Sequence, residues 1–100
     1  MRLEAQEDTL RVSDIGELGA TTANWFRDRV RAELSETHKN LDIDLAQTPL
    51  LDSHGVGALV ALHKIISSRD GSLRLLNPQP QVQQILDLTQ MDRIFEIVRS

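Results

Sequence analysis

The sequence contains no cysteine, and only 3% of its 100 residues are aromatic. The absence of cysteine excludes disulfide bonds, thiolate metal sites and cysteine nucleophiles, and it is typical of proteins that fold in a reducing compartment. The aromatic residues Trp25, Phe26 and Phe95 are too few to form a platform on which nucleic-acid bases stack. Because a chain of this length folds around one hydrophobic core, we expect a single domain over residues 1–100.

Basic residues are outnumbered, with 11 Lys and Arg against 15 Asp and Glu and a net charge of −4. The densest basic run, Arg27, Arg29 and Arg31, alternates with Asp28 and with apolar residues. Nucleic-acid binding needs clustered positive charge that displaces counterions from phosphates. We therefore expect a solvated helix face at this run and no direct contact with nucleic acid.

Long apolar runs are also missing. No segment approaches the roughly 18 apolar residues of a membrane span, and the first eight residues lack the apolar core of a signal peptide. We expect a cytoplasmic protein that reaches membranes only through a partner. The histidines His38, His54 and His63 have no spacing typical of a metal site, so we expect neither a metal nor another cofactor.

Hydrophobic periodicity predicts the element order β-β-α-β-α-β-α-β. The predicted strands are 3–5, 9–15, 41–45, 73–76 and 94–98, and the first and third predicted helices are about 22–36 and 79–91. The second helix follows an N-cap at Ser53, has its apolar run at 56–66, and is followed by Gly71, which is well placed for a left-handed cap. The second helix is apolar on almost every side and should be largely buried. Alternation of strands and helices requires crossovers and mostly parallel pairing, whereas the opening hairpin is antiparallel. We expect a small α/β domain with a mixed sheet covered by helices.

The stretch Leu-Asp-Ser-His-Gly-Val-Gly at 51–57 lies where a loop enters the second helix. The unpaired N–H groups of a helix start form an anion-binding geometry. Ser53 is placed to be the N-cap, and Gly55 and Gly57 leave room for close approach. These residues alone leave open whether the Ser53 hydroxyl is a structural cap or a functional group.

An enzyme is one alternative that the same stretch raises. Asp52, Ser53 and His54 are the residue types of a hydrolase triad, but working triads converge from separate segments and these three are neighbours. The motifs Gly-x-x-x-x-Gly-Lys-Ser/Thr and Gly-x-Gly-x-x-Gly, which bind phosphates, are missing. We expect no catalytic residues.

Four stretches, at 44–45, 51–59, 71–78 and 86–97, together resemble the STAS domains of the anti-sigma factor antagonist type. The most specific parts are Asp-Ser-x-Gly-x-Gly at 52–57 and Leu-Thr-x-x-Asp-Arg-Ile-Phe at 88–95. Weaker similarity extends back through Gly-Glu-Leu at 16–18. The resemblance therefore covers essentially the whole chain, and it implies a single small STAS-like domain.

The resemblance also implies a phosphorylation switch. Unphosphorylated antagonists of this family bind an anti-sigma factor that is also a serine kinase, and so release the sigma factor. The kinase phosphorylates the serine after the signature Asp, and a PP2C-type phosphatase reverses the modification. By position the acceptor here is Ser53. The residues expected to bind the partner are Glu17, Asp52, Ser53, His54, Gly55, Val56 and Gly57.

Two residues depart from the pattern of the family. His54 stands where most relatives have Ser or Thr, so it either pairs with the phosphate as a cation or is simply exposed. Gly19 stands where relatives usually have Asp, which could alter partner contact. Other STAS domains are stressosome scaffold subunits or accessory proteins of lipid-transport ABC systems, and these roles are the alternative to the antagonist.

Overall fold

The computed structural model describes residues 1–99, which fold into five strands and three helices in the predicted order. The elements are β1 (Arg2–Gln6), β2 (Thr9–Ser13), α1 (Ala23–Glu33), β3 (Asn40–Asp44), α2 (Ser53–Ser67), β4 (Ser72–Leu76), α3 (Pro80–Leu88) and β5 (Glu96–Val98). The strands form one sheet in the order β1-β2-β3-β4-β5, in which β1 is antiparallel to β2 and the other pairs are parallel. The predicted α/β class with a mixed sheet is confirmed.

All three helices lie on one face of the sheet. Each of β3, β4 and β5 is added on the same side of the strand before it, so right-handed crossovers bring every helix to the same face. Helix α2 is central to this layer, and its residues Leu59, Leu62 and Ile66 are fully buried. The prediction of a largely buried second helix is therefore confirmed. The helices meet the apolar strand residues Leu10, Val12, Leu41, Ile43, Leu73 and Leu75 in one core.

The opposite face of the sheet carries charged side chains. Arg11, Asp42 and Arg74 are neighbours across β2, β3 and β4. Asp42 is 6% exposed and accepts two hydrogen bonds from the Arg74 guanidinium, at 2.9 and 2.7 Å. Arg11 forms an ion pair with Asp44 at 2.8 Å. The helices thus cover only one face of the sheet, and ion pairs cover part of the other.

Two predicted element ends are wrong at the carboxyl end of the chain. Helix α3 ends at Leu88 rather than at residue 91, because Gln90 adopts a left-handed conformation with a φ of 59°. A 3₁₀ turn at Met91–Arg93 follows, and the Met91 carbonyl accepts the N–H groups of both Ile94 and Phe95. Strand β5 therefore starts at residue 96 rather than at residue 94.

Two helix ends earlier in the chain also differ from the predictions. Helix α1 ends at Glu33 rather than at residue 36, because Leu34 has an extended backbone. After α2 the left-handed residue is Asp70, with a φ of 58°, and not Gly71. A Cβ at position 71 would collide with the Lys39 carbonyl oxygen, so this glycine is needed for close packing of two loops.

The basic run on α1 is paired with acids of the same helix. Arg27 and Arg31 contact the Asp28 carboxylate at 3.1 and 3.2 Å, and Arg29 lies 3.8 Å from that of Glu33. Within residues 1–99, no cluster of His, Asp and Glu could hold a metal ion. None of the described helices is long and apolar enough to cross a bilayer.

Candidate functional site

The loop after β2 meets the loop before α2 at a short parallel bridge between Leu18 and Leu51. Leu18 donates its N–H to the Leu50 carbonyl at 2.9 Å and accepts the N–H of Asp52 at 3.1 Å. Both bridging side chains are buried. The bridge brings Glu17, which is exposed, to the same end of the sheet as the start of α2.

Asp52 is the N-cap of α2. Its Oδ1 accepts the N–H groups of His54 and Gly55 at 2.8 and 3.1 Å, and its Oδ2 accepts that of Ala20 at 3.1 Å. The hydrogen bond from Gly55 leads the interactions that lower the pKa of Asp52 below its ordinary value. The prediction that Ser53 is the cap is wrong, because Ser53 is already the first residue of the helix.

Ser53 therefore presents a free hydroxyl. The residue is exposed, and its hydroxyl makes no hydrogen bond to any of residues 1–99. It stands at the positive end of a helix of 15 residues, where a negative group is favoured by the aligned peptide dipoles. This oxygen can therefore be contacted from solvent without breaking a contact of the fold.

His54 is exposed and lies beside Asp52. Its side chain is 63% exposed, and its Nδ1 is 3.6 Å from the Asp52 Oδ1. The unmodified protein therefore presents the His54 ring to solvent next to the cap.

The three residues after His54 differ in what they present to solvent. Gly55 is buried, and a Cβ there would collide with the Leu18 carbonyl oxygen and lie 2.6 Å from the Leu51 Cδ1. Val56 is 9% exposed and joins the core. Gly57 is exposed, with nothing within 4 Å of an added Cβ. Gly55 therefore serves the packing of the two loops, whereas Gly57 leaves open space at the surface.

The sequence model of the STAS domain family matches residues 1–100. The chain belongs to the STAS domain family. A proposed anti-sigma factor antagonist of Thermotoga maritima is 33% identical over 82 residues, which are 81% of this chain and 73% of the relative. The anti-sigma-B factor antagonist of Bacillus subtilis is 27% identical over 95 residues, which are 95% of this chain and 86% of the relative.

A solved structure of a relative has the same fold. The crystal structure of a proposed anti-sigma factor antagonist from Thermotoga maritima superposes with a TM-score of 0.90 at 27% sequence identity. The comparison covers 99% of this chain and 85% of the other. The STAS fold described above is therefore shared along almost the whole chain.

Two exposed apolar residues of this STAS domain near the site were missed in the sequence. Leu50 is 45% exposed, and its Cδ2 lies 3.4 Å from where a Cβ of Gly19 would be. Trp25 is 58% exposed and lines a cavity of about 150 Å³ together with Glu17 and Leu18. The sequence pattern could have indicated that Trp25 is exposed, because Trp25 lies outside the apolar positions that α1 buries. It could not have indicated that Leu50 is exposed, because the position of Leu50 depends on the loop bridge.

Gly19 lies close to the cap. A Cβ at this position would be 3.0 Å from the Asp52 Oδ2. The neighbouring Ala20 N–H donates to that same oxygen. The Asp52 carboxylate therefore links the start of α2 to the loop before α1, and Gly19 leaves room for it there.

Proposed function

We propose that this STAS domain protein is a cytoplasmic anti-sigma factor antagonist. Its unphosphorylated form binds an anti-sigma factor serine kinase and so frees the sigma factor, and phosphorylation of Ser53 switches this binding off. A PP2C-type phosphatase returns the protein to the binding form. The protein has no catalytic role and touches neither nucleic acid nor membrane directly.

The observation that carries the proposal is the free hydroxyl of Ser53 at the exposed start of α2. A phosphate on this oxygen carries about −1.5 to −2 charges, and the helix dipole favours it there. The Asp52 carboxylate is held ionised beside it by backbone N–H groups. Phosphorylation therefore makes a strongly anionic surface while it breaks no hydrogen bond of the fold.

Phosphorylation would weaken binding of the partner through the cost of desolvation. A dianion at the centre of a contact surface must lose its water, and an unpaired phosphate oxygen or a like charge opposite it costs several kcal/mol. The exposed surface around Ser53 includes Glu17, His54 and Gly57, with Asp52 partly exposed among them. Leu50 adds apolar area of the kind that anchors interfaces. Gly55 and Val56 support this surface from beneath.

Two experiments test the proposal. Wild-type protein and Ser53→Glu are used as baits in host lysate, and the captured proteins are identified by mass spectrometry. We expect the wild type, and not the Glu variant, to capture a small ATP-binding kinase. Capture of the same partners by both baits, a transporter ATPase or other STAS proteins among them, would contradict the switch.

The second experiment tests the acceptor. The captured kinase is incubated with ATP and with the wild type, Ser53→Ala or Ser67→Ala, and phosphate incorporation is measured by intact mass. Ser67 is the matched control because it is an exposed serine at the other end of α2. We expect Ser53→Ala alone to abolish incorporation. Phosphorylation of Ser53→Ala at the wild-type rate would show that the acceptor is another residue.

A further inference from the structure

Strand β1 leaves one edge of the sheet open. It is the end strand, and among residues 1–99 only β2 pairs with it. A two-residue loop joins Gln6 to Thr9, and such a loop makes these two the first hydrogen-bonded pair of the hairpin. Hydrogen-bonded and non-hydrogen-bonded pairs alternate along antiparallel strands, so the backbone N–H and C=O groups of Glu4 and Arg2 point towards β2. Those of Leu3 and Ala5 point outward, where a further strand could bind.

The charges along this edge are self-complementary. Arg2 and Glu4 flank Leu3 and lie on the same face, 3.1 Å apart, with side chains 66% and 48% exposed. An identical strand laid antiparallel, with Leu3 opposite Leu3, places each Arg2 directly opposite Glu4 of the second copy. Opposite charges at directly facing positions stabilise a pair of strands.

The other registers that the backbone polarity allows lack this match. A pairing centred on Glu4 sets two carboxylates opposite each other, which is unfavourable. A pairing centred on Ala5 sets Glu4 opposite Gln6 and leaves Arg2 outside the paired strands. Charge therefore selects the register centred on Leu3.

We propose that this chain forms a homodimer through β1, with the two sheets joined into one across a two-fold axis at Leu3. Leu3 is partly buried against the core, so its partner adds to the apolar layer on the helix side. Since the two copies run antiparallel, their Ser53 sites lie at opposite ends of the joint sheet. The dimer therefore leaves each Ser53 free for a partner, and its existence does not depend on the proposed switch.

The interface is short, because β1 has only five residues. Contacts smaller than about 1,000 Å² are typical of weak or transient association. The dimer should therefore form in a concentration-dependent way, which sedimentation equilibrium measures directly. A chain that stays monomeric up to its solubility limit would overturn the proposal.

Charge reversal tests the register. We expect Glu4→Arg and Arg2→Glu each to weaken the dimer about tenfold, because two facing pairs become repulsive. The double variant that carries both changes should recover the wild-type dissociation constant. Glu36→Arg is the control for net charge, since Glu36 is exposed and lies outside β1. Thermal unfolding of each variant shows whether it is folded, and an unchanged constant in folded single variants would overturn the pairing.

Disulfide crosslinking between introduced cysteines tests the position of the two-fold axis. The result is unambiguous because the sequence contains no other cysteine. Hydrogen-bonded antiparallel pairs have Cα atoms about 5.5 Å apart, within the range of a disulfide. Leu3→Cys should therefore form a disulfide-linked dimer under mild oxidation. In Ala5→Cys the two thiols belong to residues about 14 Å apart along the strands, so no link should form. A linked Ala5→Cys dimer with an unlinked Leu3→Cys would overturn the proposed register.

Discussion

Asp52 and Ser53 are neighbours with separate tasks. The Asp52 carboxylate accepts two backbone N–H groups from the start of α2 and one from the loop before α1, whereas the Ser53 hydroxyl accepts none within residues 1–99. We expect Ser53→Ala to change the free energy of unfolding by no more than about 0.5 kcal/mol. Asp52→Ala should destabilise clearly more, because it leaves N–H groups of α2 without their cap. Urea denaturation measures both, and equal losses would mean that the serine hydroxyl also caps the helix.

The charge of Asp52 gives its contribution a pH dependence. The hydrogen bond from Gly55 leads those that lower the folded-state pKa below the ordinary value of 3.8. A carboxylate with a lowered pKa stabilises the fold above its unfolded pKa, and this contribution is lost as the pH falls through the folded value. The stability difference between wild type and Asp52→Ala should therefore be full at pH 7 and shrink below about pH 4.

Asp52→Asn is the control for this pH effect. An asparagine side chain still caps a helix but carries no charge, so its advantage over Ala should stay constant across the same range. A wild-type advantage that is also constant from pH 7 to pH 3 would show that the carboxylate's charge does not contribute. Chemical denaturation at a series of pH values measures all three proteins.

At the scale of the element, α2 carries two glycines with opposite requirements. A Cβ at position 55 would collide with the Leu18 carbonyl, whereas one at position 57 would meet open space. We expect Gly55→Ala to destabilise by about 1–3 kcal/mol, since two loops must shift. Gly57→Ala should stabilise by about 0.5–1 kcal/mol, because alanine is the better helix former. Urea denaturation compares the two, and equal effects would mean that the loops do not pack on Gly55.

The same helix lies at the centre of the core, which a truncation tests. Leu59 is fully buried beneath the sheet face. Leu59→Ala should therefore cost about 2–5 kcal/mol in unfolding free energy, through lost burial and the cavity that remains. Leu88, which is 71% exposed on α3, is the matched control, and Leu88→Ala should cost far less. Similar losses at both positions would contradict the central place of α2.

The order of the elements could be predicted because the hydrophobic period changes at each boundary. Their ends could not, since the left-handed Gln90 and the turn after it depend on packing around Phe95. The signature also located the helix start at the site. It did not separate Asp52 from Ser53 as the cap, because both residue types cap helices well and the helix begins one residue earlier than expected. The bridge from Leu18 to Leu51 is a long-range contact that periodicity does not show.

At the scale of the whole molecule, the Asp52 cap and Ser53, the proposed acceptor, are placed so that a change of charge stays at the surface. Ser53 is exposed at the amino-terminal end of α2, whereas the core residues Leu62 and Ile66 lie in the carboxyl-terminal half of the helix. The helix dipole favours a phosphate there, and the adjacent Asp52 carboxylate opposes it. Since these electrostatic effects are opposed and screened by solvent, their sum should be small.

We therefore expect Ser53-phosphorylated protein to keep its fold. Its far-ultraviolet circular dichroism should match that of the unmodified protein, and its Tm should differ by less than about 5 °C, the shift that 1 kcal/mol produces in a domain of this size. Amide chemical-shift changes should concentrate at the α2 start and in the loop from Glu17 to Ala20, because this loop contacts the cap through the Ala20 N–H. A loss of structure on phosphorylation would mean that the switch acts by unfolding the domain, whereas a local change leaves the altered charge of the surface as the signal that the partner reads.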